Sequence, residues 1–190
     1  MKKKRLVYLI LIVLIATGSA LLALAHEKSA SNEGINPSGD IPDNQIFVMY
    51  KPTSGSFEVK VPEGWSQSTS ESSTEFTDKL NIVSIRWVPD APEPTVERAN
   101  SVDVPDLAST EPAFQLVETK QVTLSGGKAI LIKYQKDSAP SQVTGKKYRM
   151  DVLLYEFYRN GLQVNLTLAS PVGADNVDPW NIISESFKWL

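Results

Sequence analysis

The sequence predicts an α+β fold, an antiparallel β-sheet flanked by helices behind an N-terminal transmembrane or signal helix. Three observations carry this. Period-2 alternation of apolar and polar residues recurs after residue 56, glycine-bearing turns punctuate it, and residues 178–190 change to a helical period. With 42% hydrophobic and 22% charged residues, the chain of 190 has the composition of a globular protein and the length of one domain.

Lys2, Lys3, Lys4 and Arg5 form a positive block, and residues 6–25 follow without a charge, rich in Leu, Ile, Val and Ala. Twenty residues in a helix span about 30 Å, the hydrocarbon thickness, whereas a cleaved signal usually holds about 7 to 15 apolar residues. Length therefore favours an uncleaved anchor, while Ala23-Leu24-Ala25 offers a small-x-small cleavage site before His26. In either case the basic block stays inside and the rest is delivered outward. The expected location is membrane-anchored with the domain outside the cytoplasm, or secreted after cleavage at Ala25.

Residues 26–46, rich in Ser, Asn, Gly, Pro and Asp, read as a flexible polar linker. Residues 47–190 form the domain. Within it, 56–61 alternates as a half-buried strand ended by Pro62, Gly64 and Trp65, and 66–74 reads as a polar Ser/Thr loop. Residues 81–88 place apolar groups on both faces, as a central strand does. The proline-rich stretch 89–112 admits one helix, at 94–102, with Pro94 at its start. Strands follow at 114–124 and 128–135 about the turn 125–127, then at 147–159 and 162–169 about Asn160-Gly161, the dipeptide suited to a type I′ turn.

In the last of these, Leu162, Val164, Leu166 and Leu168 share one face, and Gln163, Asn165 and Thr167 share the other, which is expected to be partly wet. The closing helix has Asp178 as N-cap and Pro179 at its first position. Trp180, Ile183, Phe187 and Leu190 make its buried face.

The pattern Phe57-x-Val59-x-Val61-Pro62-x-Gly64-Trp65, the turn Gly126-Gly127-Lys128 opening a strand, and the closing Ser186-Phe187-Lys188 resemble the PsbP-like family over about 47–190. That resemblance implies an α/β/α sandwich and a role in binding rather than catalysis. Family members include extrinsic lumenal subunits of photosystem II, actinobacterial envelope lipoproteins and a nuclear import factor that binds a small GTPase. This chain departs from the lipoproteins in lacking the lipid-bearing cysteine.

Composition narrows the chemistry further. With no cysteine and one histidine, His26 at the membrane flank, thiolate nucleophiles, zinc fingers and His-dependent triads inside the fold are excluded. Setting aside the four N-terminal bases, where no acid lies, takes the net charge from −3 to −7, and nucleic acid, whose binding needs a basic face, is not an expected partner of so acidic a domain.

Gly126-Gly127-Lys128 is a hairpin turn, since a phosphate loop requires a following Ser or Thr and a helix. The aspartate pairs 40/43, 103/106 and 175/178 serve turns and caps more simply than calcium. Glu71, Glu75, Asp78, Asp151 and Glu156 are the acids near sheet elements, and solvated surface is the expected state of each. No SxxK motif supports a Ser-Lys dyad. Asn165-Leu166-Thr167 matches a glycosylation tripeptide inside a strand and is set aside. Tyr148, Tyr155, Phe157 and Tyr158 with Arg149 and Arg159 read first as sheet packing and second as a partner surface.

No catalytic, cofactor-binding or metal residue is assigned. The function expected is a non-enzymatic envelope binding or assembly module with an envelope protein partner. The alternatives are a photosystem II extrinsic subunit and a carboxylate-dependent envelope hydrolase.

Overall fold

The computed structural model describes residues 39–142 and 144–190. The expected anchor at 1–25 and most of the linker lie outside them. Ile41 falls in the stretch read as linker, yet it is buried and its N–H donates to Asn176 Oδ1 at 2.8 Å.

A seven-stranded antiparallel sheet runs in the order β3-β4-β5-β9-β8-β7-β6. Its strands are β3 (Ser66–Thr69), β4 (Ser73–Asp78), β5 (Asn81–Val88), β6 (Gln115–Leu124), β7 (Gly127–Asp137), β8 (Arg149–Arg159) and β9 (Leu162–Pro171). The alternating segments read from sequence became its centre. Asn160 and Gly161 both take positive φ, 52° and 85°, as a type I′ turn requires. The expected loop at 66–74 is instead β3 and the start of β4. Its serines and threonines stay largely exposed at the sheet edge, so backbone pairing rather than burial holds them.

On one face lies a three-stranded sheet of β1 (Phe47–Tyr50), β2 (Phe57–Pro62) and β10 (Lys188–Trp189), with the C-terminal helix beside it. Phe57, Val59 and Val61 from β2 pack with Val83, Ile85, Phe157, Val164 and Leu166 from the large sheet. The other face is partly covered by a helical segment of α1 (Val96–Arg98), a π turn (Ala99–Asp103) and α2 (Val104–Thr110). It runs eight residues past the expected end at 102. Pro105 lies in the first turn of α2, directly after the π turn, where the N–H of Val104 reaches back five residues to the Ala99 carbonyl. Ala99, Val96, Val104 and Leu107 pack on Ile130, Ile132, Val152 and Ala169.

The final helix, α3 (Val177–Glu185), ends earlier than expected. The N-cap position belongs to Asn176, not Asp178. Asn176 does not cap with its side chain, because its Oδ1 holds Ile41 and its Nδ2 donates to Gly39 O and Asn81 Oδ1. After Glu185 the chain turns so that Phe187 enters the core and Trp189 pairs with Phe57. Leu190 is therefore exposed rather than on a buried helical face. The seal depends on Gly126, where an added Cβ would lie 2.6 Å from Phe187 Cδ1 and 2.7 Å from its carbonyl oxygen. Gly126→Ala is expected to destabilise the fold by about 1–3 kcal/mol through overpacking, measured by urea unfolding.

Candidate functional site

Register across the large sheet sorts its second face into rows. One row reads Arg86 on β5, Asn165 on β9, Glu156 on β8 and Ile130 on β7. The next reads Ser84, Thr167, Leu154 and Ile132, and the one after it Ile82, Ala169, Val152 and Tyr134. The face therefore grades from apolar at one end to polar at the other. The helical segment packs its apolar residues on the apolar end. Over the polar end it leaves a groove of about 730 Å³, lined by Arg86, Arg98, Asp103, Glu156, Gln163 and Asn165 among others. A smaller cavity of about 410 Å³, bordered by Lys128, Tyr158 and Trp189, adjoins it and shares Glu156.

Glu156 is the unusual group. It is 2% exposed, so the expectation of solvated surface is corrected. Strand alternation puts Tyr155 and Phe157 into the core on the opposite face, and the helical segment closes over Glu156 from the far side of the chain. Gln163 Nε2 donates to Asn165 Oδ1 at 2.8 Å and only distantly, at 3.4 Å, to Glu156 Oε1. Glu156 Oε2 is buried with no hydrogen-bond partner among the described residues. Burial, followed by the charge of Asp103, pushes its carboxyl up to about 7, against the opposing pull of Arg98 and Arg86. Asp103 is itself raised, chiefly by burial, although Arg98 Nη2 lies 3.9 Å from its Oδ1.

The face expected to be wet is thus the floor of the groove. Gln163 and Asn165 are each 8% exposed and Thr167 is half-buried. Of the other acids, Glu75 also lines the groove, whereas Asp151 is engaged by Gln135 Nε2 at 2.8 Å and Glu71 is exposed. The aromatic strand is mainly core. Tyr155 and Phe157 are buried, and Arg149 is spent on the Ala113 carbonyl, Gln115 and Asp137. Of the aspartate pairs, Asp40 Oδ1 accepts the Asp175 N–H at 2.9 Å, a loop-tying role. The signal that could have singled out Glu156 was present in β8: Val152, Leu154 and Glu156 share one face, and an acid continuing an apolar row needs a reason.

No family model and no curated protein matches the chain. Its backbone is similar to that of several solved structures. The solution structure of cyanobacterial PsbP (CyanoP) from Synechocystis sp. PCC 6803 matches with a TM-score of 0.55 at 15% identity, covering 81% of this chain and 99% of that one. The Ran-binding protein Mog1p of Saccharomyces cerevisiae matches with 0.48 at 9% identity, covering 76% and 95%. LpqN, involved in cell envelope biogenesis of Mycobacterium tuberculosis, matches with 0.45 at 14% identity, covering 80% and 98%. The domain has the PsbP-like fold that the Phe57, Gly126 and Phe187 motifs imply.

Proposed function

We propose that this chain is a non-enzymatic binding or assembly module of the cell envelope, held outside the cytoplasm by residues 1–25 or released there by cleavage after Ala25. Its working surface is the groove over Asn165 and Glu156, and its partner is an envelope protein. The observation that carries this reading is the groove itself. The polar side chains of β5, β8 and β9 are gathered under the helical segment, yet apolar packing occupies only the other end of that face. The basic block followed by twenty uncharged residues supports the outward location.

The test is crosslinking in intact cells with capture of the tagged full-length chain, beside an Asn165→Leu variant that fills the groove floor. One dominant envelope protein is expected with the wild type and its loss with the variant, at unchanged expression and melting temperature. Equal capture by both would remove the groove from the account. Capture of chlorophyll-bearing complexes would instead favour the photosystem alternative.

A hydrolase remains the second reading for one reason. A carboxyl held near 7 inside a groove suits a general acid at neutral pH. Turnover of an envelope polymer by wild type but not by Glu156→Gln would establish it, and no turnover would retire it.

A further inference from the structure

Six carboxylates line the groove against three bases, and two of the bases are already engaged. Lys136 Nζ sits 2.9 Å from Glu111 Oε2, and Arg98 lies beside Asp103. Arg86 is exposed and stands two strands from Glu156 with Asn165 between them, a backbone separation of about 10 Å at ordinary strand spacing. From β7 the residue opposite Glu156 is the uncharged Ile130. Among the described residues Glu156 is therefore a buried acid that makes no ion pair, with one oxygen lacking any hydrogen-bond partner. An acceptor left in that state is unfavourable unless something arrives to use it.

We infer that the groove is a site for a ligand carrying a guanidinium or ammonium group, with Glu156 as the buried counter-ion and the Gln163 and Asn165 amides beside it. This rests on the groove being the binding surface and adds the chemistry of what enters. The acidic excess attracts a cation and rejects an anion. A cation next to Glu156 Oε2 supplies the missing donor and offsets the charge burial that empties the site of its ionised form.

The titration of Glu156 gives the site a direction with pH. The charges that act on it most are Asp103 from the π turn, Arg98 from α1 and Arg86 from β5, with Glu93, Lys128 and Arg159 around the adjoining cavity, and burial with Asp103 outweighs the two arginines that pull against it. A cation selects the carboxylate, so binding releases a proton while Glu156 is protonated. With a carboxyl near 7, affinity at pH 6 is about tenfold weaker than at pH 8.

The test is calorimetry on the full chain in detergent micelles, with Nα-acetyl-arginine amide and with its uncharged isostere, Nα-acetyl-citrulline amide. A third arm carries the same arginine between glycines in a capped peptide. The arginine amide is expected to bind at least about tenfold more tightly than the citrulline amide, with the stated pH dependence, and to be lost in Glu156→Gln. Tighter binding of the peptide than of the free amide assigns the cation to a polypeptide side chain, and equal binding assigns it to a free small molecule; both support the site. Equal binding of the arginine and citrulline amides, undiminished binding by Glu156→Gln, or no binding of any probe would overturn it. Loss of partner capture in Asn165→Leu alongside any of these results would leave the groove as the binding surface and refute only its preference for a cation.

Discussion

Phe187→Ala is expected to lower folding stability by about 3–5 kcal/mol, the range for removing a buried aromatic ring. The ring is 1% exposed and stacks on Phe157 with centroids 3.9 Å apart and planes within 10°. It also stacks on Phe57 at 5.5 Å and meets Trp189 edge-to-face at 5.1 Å. One side chain therefore joins β2, β8 and β10, the layer that closes the small sheet over the large one. Gly126 passes too close to the ring for a neighbouring side chain to move into the vacancy from that side. For a domain of this size the melting temperature should fall by on the order of 10 °C, and Phe187→Leu by much less. A loss under about 1 kcal/mol for the alanine variant would mean that the ring is not a core element.

Glu156→Gln is expected to act in the opposite direction, and only above acidic pH. The carboxyl is raised from 4.5 to about 7 in the fold, so the folded state holds a proton that the unfolded state has lost across that window. Stability contributed by this group is therefore present below about 4.5, declines as pH rises toward 7 and stays lost above it. Glutamine mimics the protonated acid at every pH. The variant should match wild type near pH 4 and exceed it near pH 8 by on the order of 2–3 kcal/mol, read from urea unfolding at both values. Parallel stability curves for the two proteins would show that Glu156 is solvated and ionised in the folded state.

The strands that alternate cleanly were legible because burial on at least one face writes period 2 into the residues. Lys128 to Gln135 and Leu162 to Ala169 lie inside β7 and β9, and the Asn160-Gly161 turn has the backbone expected of it. β3 left no such trace, since an exposed edge strand of Ser, Gln and Thr buries nothing. The helical segment was only half legible. Its apolar contacts at Val104 and Leu107 are sparse, and prolines on either side mask the helical period. Phe187 illustrates a different limit. Its burial was expected from a helical face, but the side chain reaches the core from the turn after α3, because pairing of Trp189 with Phe57 overrides the continued helix.

At the site, the polar face of β9 was visible in sequence as Gln163, Asn165 and Thr167. What converts that face into a groove is the distant 96–110 segment folding across it, and this depends on strand order and register that no local pattern carries. The same tertiary step buries Glu156. Its neighbours Tyr155 and Phe157 gave the face opposite, while Asp103 and Arg98, which set its charge environment, are more than fifty residues away in the chain.

The most direct measurement places a photoreactive residue at Ser84, inside the groove, and separately at Thr123 on the exposed edge strand β6, in the full-length protein in living cells. Irradiation is expected to join one envelope protein to the Ser84 position and nothing specific to Thr123. A specific adduct from Thr123 with Ser84 silent would contradict the claim that this protein works through the groove.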